Sequence, residues 1–205
     1  MRRSRRKIRL SLQTLSLSAL LFLIGCSGLL VNQGRVPSEA SNKQNKIAVC
    51  YDYSCKRVSQ VVLIGSEWNR ITKLFDGKAR TSQEERHIIA KAIALMEQLT
   101  GKIVGTSNDK ARNSGTGESG QMDCIDESIN TTAYIRLFEN KGWIKWHQVE
   151  DRVKRSPFFF DIHWTAVIKD KQSNQLYAID SWFRENGREP VILKLEEWKA
   201  KKEVP

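Results

Sequence analysis

The segment His163-Trp164-Thr165-Ala166-Val167-Ile168-Lys169-Asp170-Lys171-Gln172-Ser173-Asn174-Gln175-Leu176-Tyr177-Ala178-Ile179-Asp180-Ser181-Trp182 decides how this chain folds. Two runs rich in β-branched and aromatic residues flank the polar Lys171-Gln172-Ser173-Asn174, which is the pattern of a β-hairpin. With Asp170 opposite Gln175, Thr165 lies opposite Asp180 and His163 lies diagonal to it. Side chains alternate along a strand, so His163, Thr165, Val167, Ala178, Asp180 and Trp182 share one face. Trp164, Ala166, Ile168, Tyr177 and Ile179 share the other, which is apolar throughout. Burying that apolar face fixes the register that brings His163 to Asp180. A slip of one residue separates them.

Upstream, Gln121-Met122-Asp123-Cys124-Ile125-Asp126-Glu127-Ser128 opens a helix predicted to run to about Glu139. Asp123 is a good N-cap, so Cys124 takes the first helical position. Gly142 closes the helix. Before it, Thr106 to Gly120 is rich in Gly, Ser, Asn and Asp; a loop of this length is a wall or lid of a site, or else a surface excursion. Ser82 to Thr100 is the clearest helix, with Ser82 and Glu85 as a capping box, an apolar stripe at Ile89, Ala92, Ile93, Met96 and Leu99, and Gly101 as the stop. Arg57 to Ile64 reads as a strand and Glu67 to Phe75 as a short helix. Trp143 to Val153, Phe158 to Asp170 and Gln175 to Trp182 read as strands, and Glu196 to Lys201 as a closing helix. These elements predict an α+β fold, with the helix bearing Cys124 packed on an antiparallel sheet bearing His163 and Asp180.

The N-terminus has a different composition. Arg2, Arg3, Arg5, Arg6, Lys7 and Arg9 precede an apolar run, Leu10 to Gly25, that is laced with Ser, Thr and Gln. This is the pattern of a secretion signal over residues 1–25, with an uncleaved membrane anchor as the alternative. Leu23-Ile24-Gly25-Cys26 resembles the lipobox of bacterial lipoproteins, which implies that Cys26 is lipidated and becomes the mature N-terminus. Ser27 resembles an outer-membrane sorting signal. Together they predict a lipid-anchored protein of the cell envelope, on the outer membrane and facing the periplasm, whose membrane partner is reached through the lipid. Residues 26–48 read as a flexible polar tether and 49–205 as one domain and a monomer. Leaving out the six basic residues of the signal lowers the formal net charge from +11 to +5. The charge is thus mostly a targeting feature, and no basic stripe with interleaved aromatics calls for nucleic acid.

Export places the domain where disulfides persist. Cys50 and Cys55 are close enough in sequence to bridge. Two reduced thiols or half of a metal site are the alternatives, but no second pair completes a zinc site. No metal and no cofactor are expected. Cys124 is left as a lone thiol, either reactive or a buried small residue. A lone thiol followed by His163 and Asp180 is the layout of a nucleophile, its base and the group that orients the base. A helix N-terminus favours a thiolate there, whereas Asp123, Asp126 and Glu127 oppose it. The backbone N–H of Cys124 and, as a second donor, Gln121 are the candidate oxyanion hole. His147 is the competing base, but no acidic residue follows it in a hairpin. His87 reads as a surface residue.

The order and spacing of these residues resemble the transglutaminase-like superfamily, the papain-type group with a Cys–His–Asp triad. The resemblance runs from about Ser82 to Trp182. It rests on Cys124 opening a helix, on His163-Trp164-Thr165-Ala166-Val167 as the histidine strand, and on Tyr177-Ala178-Ile179-Asp180 as the aspartate strand. The chain departs from the pattern at Asp123, where many relatives carry Gly or Trp before the cysteine. The resemblance implies a papain/transglutaminase-like core and acyl transfer from a peptide or protein amide through a thioester, to water or an amine. It also admits a catalytically silent binding or scaffold module.

Overall fold

The computed structural model describes residues 46–77, 79–115, 117–156 and 162–201. The signal, Cys26 and the tether through residue 45 lie outside the described residues, as do residues 157–161 at the predicted start of the histidine strand.

The described residues form an α+β fold with two antiparallel sheets. Strands β1 (Lys46–Tyr51) and β2 (Arg57–Val62) pair as a ladder. Strands β3 (His147–Arg155), β4 (His163–Asp170), β5 (Leu176–Asp180) and β6 (Val191–Lys194) lie side by side in chain order. The helices are α1 (Gly65–Phe75), α2 (Ser82–Val104), α3 (Cys124–Asn140) and α4 (Leu195–Lys199). No helix among the described residues is long and apolar enough to cross a membrane.

The β4–β5 hairpin has the predicted register. Ala166 pairs with Ile179 and Ile168 with Tyr177, and the Asp170 N–H donates to the Gln175 carbonyl at 2.9 Å. The turn is built by Asp170, whose Oδ1 accepts from the backbone of Gln172 and Ser173, and by Asn174 at φ 57°. Asn tolerates that left-handed conformation better than most residues. Most of the apolar face is buried as predicted: Ala166, Ile168 and Ile179 pack with Ile89, Ile93 and Met96 of α2 and Tyr134, Ile135 and Phe138 of α3, whereas Trp164 is half-buried and lies outside this core. Full burial of each such aliphatic side chain is worth roughly 1.5–3 kcal/mol. The opposite face is also covered, by Leu195 and Trp198 of α4 on Val167 and Ala178.

Several local expectations are corrected. The N-cap of α2 is Thr81, whose hydroxyl accepts the Glu84 N–H at 3.1 Å, not Ser82. Glu85 turns inward, where its carboxylate accepts the backbone N–H groups of Lys145, Trp146 and His147. α2 also runs through Gly101 to Val104 and stops at Gly105, which has φ 88°. Gly101 serves close packing instead: a Cβ there would meet Asn186 Oδ1 at 3.0 Å and Thr106 Oγ1 at 3.2 Å. β1 begins at Lys46, so Lys46, Ile47 and Ala48 of the predicted tether belong to the ladder, with Ile47 and Ala48 buried. β3 starts at His147 rather than Trp143, because Trp143 packs against Phe75 at 5.1 Å and Phe138 at 6.1 Å. β6 is a four-residue strand with no alternating or β-branched run long enough to announce it in the sequence.

Candidate active site

Cys124 occupies the first residue of α3 because Asp123 caps the helix. The Asp123 Oδ1 accepts from the backbone of Ile125 and Asp126, both at 3.0 Å, and Asp126 Oδ2 accepts the Asp123 N–H at 3.2 Å. This is a reciprocal capping box with Asp in the place usually taken by Glu or Gln.

The disulfide between Cys50 and Cys55 forms as predicted, and its loop docks on the start of α3. Four consecutive residues, Asp52, Tyr53, Ser54 and Cys55, have φ of 65°, 66°, 55° and 55°. Such a run is costly for L-residues and persists only where the surroundings enforce it. Here the turn aims its N–H groups at carboxylates: Ser54 donates to Asp123 Oδ2 at 2.9 Å and Cys55 to Asp126 Oδ1 at 2.5 Å. Asn130 of α3 holds the other end, accepting the Cys50 N–H at 2.7 Å and donating to the Cys50 carbonyl at 2.8 Å.

The loop before α3 forms one wall of a cleft. Trp182 Nε1 donates to the Asn113 carbonyl at 2.6 Å, and the Arg112 N–H donates to the Trp182 carbonyl at 2.7 Å. Gln121 holds this loop from within: its Oε1 accepts from Lys110 and Asn113, and its Nε2 donates to the Asn108 carbonyl. Gln121 is buried and does not line the cleft, so the structure does not offer its side chain as an oxyanion donor. The cleft, about 450 Å³, is lined by Asn113 and Ser114 of the loop, Asp123 to Ile125 of α3, Lys154 of β3, residues 162–164 at the start of β4, and Trp182. Cys124 and His163 therefore share one cavity.

His163 is buried, and its Nε2 lies 2.6 Å from Asp180 Oδ2. The same oxygen accepts the indole N–H of Trp198 at 2.7 Å. Trp182, Phe183 and Trp198 surround the imidazole with centroids at 4.6, 5.3 and 5.5 Å. A carboxylate on Nε2 favours the tautomer protonated there and leaves Nδ1 as the basic nitrogen. Trp198 escaped the sequence reading because a Trp in a short terminal helix looks like any core aromatic.

The Cys124 thiol is half-buried, with its Sγ 3.9 Å from the Ile162 carbonyl. Burial pushes its pKa up to about 11, the Trp164 backbone N–H pulls the other way, and the charges of Asp123 and Asp180 push it higher. At neutral pH the resting species is the protonated thiol.

His147, the competing base, lies at the far end of the sheet. It pairs with Asp170 on β4 while Arg155 pairs with His163. The two histidines are thus about seven residues apart along β4, roughly 23 Å at 3.3 Å per residue. His147 is fully buried, with Nδ1 2.8 Å from Glu85 Oε2 and Nε2 3.2 Å from Arg86. His87 is exposed.

Beneath the first turns of α3 lies a group of acids that the sequence reading did not anticipate. Burial raises the carboxyl of Glu97 to about 7 and that of Asp109 to about 6, and it holds Glu127 well above its ordinary value. The neighbouring carboxyls of Glu97, Asp109 and Asp126 push Glu127 further in the same direction. Asp109 Oδ1 accepts the Met122 N–H at 2.6 Å. No group of three or more His, Cys, Asp or Glu among the described residues is arranged to hold a metal ion. No protein-family model, no curated protein and no solved structure matches this chain.

Proposed function

We propose that this domain performs cysteine-dependent acyl transfer or hydrolysis at an amide bond, on a papain/transglutaminase-like arrangement in which α3 carries the nucleophile Cys124 and the sheet carries His163 and Asp180. The observation that carries the reading is that Cys124 and His163 line one cleft while Asp180 holds the imidazole from behind at 2.6 Å. As Sγ attacks the amide carbonyl carbon, its proton passes to Nδ1 of His163. The C–N bond then breaks, and His163 returns the proton to the leaving amine. Water or an amine then attacks the thioester carbonyl and gives its proton to His163, the C–S bond breaks, and His163 passes that proton to the departing sulfur to restore the thiol. Because the resting thiol is protonated, His163 must act as a base during attack, not as the partner of a preformed thiolate. The Cys124 backbone N–H, at the first position of α3, is a donor for the oxyanion.

The lipobox-like Leu23 to Cys26 supports placing this activity at the bacterial envelope on a lipid anchor at Cys26, with an envelope peptide or protein as the amide. A second reading, a silent binding or scaffold module, is favoured by one specific observation, the raised thiol.

Labelling of the folded full chain with a thiol-reactive probe across pH separates the two, read at the Cys124 peptide by mass spectrometry. Base-assisted attack makes the rate level off well below pH 8.5, and His163→Ala abolishes that plateau, with Cys124→Ala as the blank. Labelling that climbs unbroken toward pH 11, equal in wild type and His163→Ala, overturns the enzyme reading.

A further inference from the structure

The cleft is unevenly charged. Its one carboxylate, Asp123, is tied to the helix cap, where Oδ1 takes the N–H groups of Ile125 and Asp126 and Oδ2 takes the N–H and hydroxyl of Ser54, and it keeps its charge. Its one lysine, Lys154, is exposed and forms no ion pair among the described residues. The Lys154 ammonium lies 5.8 Å from the centroid of Trp164, itself a cleft residue. A second cation backs the same ring. The Arg152 guanidinium is 4.9 Å from the Trp164 centroid and donates to Ser128 Oγ at 2.9 Å, one helical turn along α3 from Cys124. The β3–β4 wall of the cleft is thus positive and aromatic, with two cations on the Trp164 ring against the single carboxylate of Asp123, which the helix cap holds in place.

We infer that the cleft takes an acyl donor bearing a carboxylate next to the scissile carbonyl, and that Lys154 is the residue that selects it. This rests on the reading of Cys124 as a nucleophile. Arg152 is held by Ser128 and Trp164 as a fixed background charge, whereas Lys154, on a flexible stem at the cleft surface, meets the incoming group. The carboxylate belongs either to an acidic side chain or to a chain terminus.

The test is the alkylation of Cys124 in the full chain by iodoacetate and by iodoacetamide, a matched anionic and neutral pair. In both, the sulfur displaces iodide, a new S–CH₂ bond forms, and the thiol proton leaves to His163 or water. The ratio of the iodoacetate rate to the iodoacetamide rate at Cys124 is expected to exceed that of glutathione by about fivefold at low salt, the effect of one unit charge several ångströms away in a partly solvated cleft. Lys154→Met returns the ratio to that of glutathione, Lys154→Arg keeps it, and added salt erodes it over a Debye length of about 10 Å at 0.1 M. Protection by N-acetyl-glutamyl methylamide identifies a side-chain carboxylate and protection by N-acetyl-alanine a terminal one, each against neutral N-acetyl-glutaminyl methylamide. A wild-type ratio equal to that of glutathione, or equal protection by the neutral amide, overturns the carboxylate preference while leaving the nucleophile intact. Failure of both reagents to reach Cys124 overturns the nucleophile itself, and the preference with it.

Discussion

Raising the pH from 5 to 8 is expected to destabilise this domain, the reverse of the usual carboxylate effect. Glu97 is 3 % exposed; its Oε2 accepts the Gly187 N–H at 2.9 Å, while its Oε1 has no hydrogen-bond partner among the described residues. Ser181, Asp109 and Glu127 face it. In the unfolded chain this carboxyl ionises near its ordinary 4.5, whereas in the fold burial keeps its proton to about 7. Between those limits the folded state binds more protons than the unfolded one, so stability is complete below the lower value and declines as pH rises through the higher. At about 1.4 kcal/mol for each tenfold change in proton affinity, the proton that Glu97 holds against its acidic neighbours contributes on the order of 3 kcal/mol at low pH. Most of that disappears by pH 8. The carboxyl of Asp170 is lowered to about 2 and that of Glu85 is also lowered, so their contributions change below the chosen window. Guanidinium unfolding at pH 5 and pH 8, for wild type and Glu97→Gln, reads the Glu97 carboxyl together with its coupling to Glu127 and Asp109. At a slope of roughly 4 kcal/mol per molar, the wild-type midpoint drops about half a molar more than that of the variant. Equal pH dependence in the two proteins, or a smaller drop in wild type, refutes the placement of a proton on Glu97.

Three further outcomes follow from the geometry. Trp198→Phe removes the second donor to Asp180 Oδ2 and loosens the carboxylate that holds His163, so labelling of Cys124 at neutral pH is expected to slow about fivefold, for roughly 1 kcal/mol of lost hydrogen bond; an unchanged rate means that Trp198 only fills space. Asn130→Ala strands the N–H and carbonyl of Cys50 in a buried site and costs roughly 2–4 kcal/mol in denaturant unfolding, at about 1–2 kcal/mol per unsatisfied group. Gly120→Ala puts a Cβ 2.4 Å from the Gly105 carbonyl oxygen at a residue with φ 77°, and calorimetry is expected to show a Tm drop of several degrees, whereas Gly117→Ala, with open space around it, loses only the left-handed cost of about 1 kcal/mol.

The sequence was legible where a short period met a buried face. The β4–β5 register followed from five apolar side chains on one side of a hairpin, and with it came the approach of His163 to Asp180. Asp123 announced the start of α3 through a local hydrogen-bonding preference that survives in any context. Legibility ended where partners are distant in sequence. Glu85 looked like the end of a capping box because it stands three residues from Ser82, but it spends its oxygens on backbone groups about sixty residues away. Gln121 looked like an oxyanion donor because it precedes the cysteine, but it is consumed by Asn108, Lys110 and Asn113.

The same distinction bears on how Cys124 is activated. From sequence, a cysteine at the first helical position gains from the helix N-terminus, whose unsatisfied N–H groups favour an anion. In the fold the N–H groups on either side of Cys124 are already committed, which leaves only the N–H of Cys124 itself. Ile125 and Asp126 donate to Asp123, Asp123 donates to Asp126, and the left-handed turn of the disulfide loop binds the remaining carboxylate oxygens. The capping that places Cys124 also brings Asp123 close enough to push its thiol upward. Position and activation therefore oppose each other at this helix end. In the proposed mechanism the thiol proton passes to the imidazole of His163, which lines the same cleft with its Nε2 on Asp180. Removing His163 should consequently cost more reactivity here than at a cysteine whose thiolate is already formed, and its loss cannot be offset by the helix dipole.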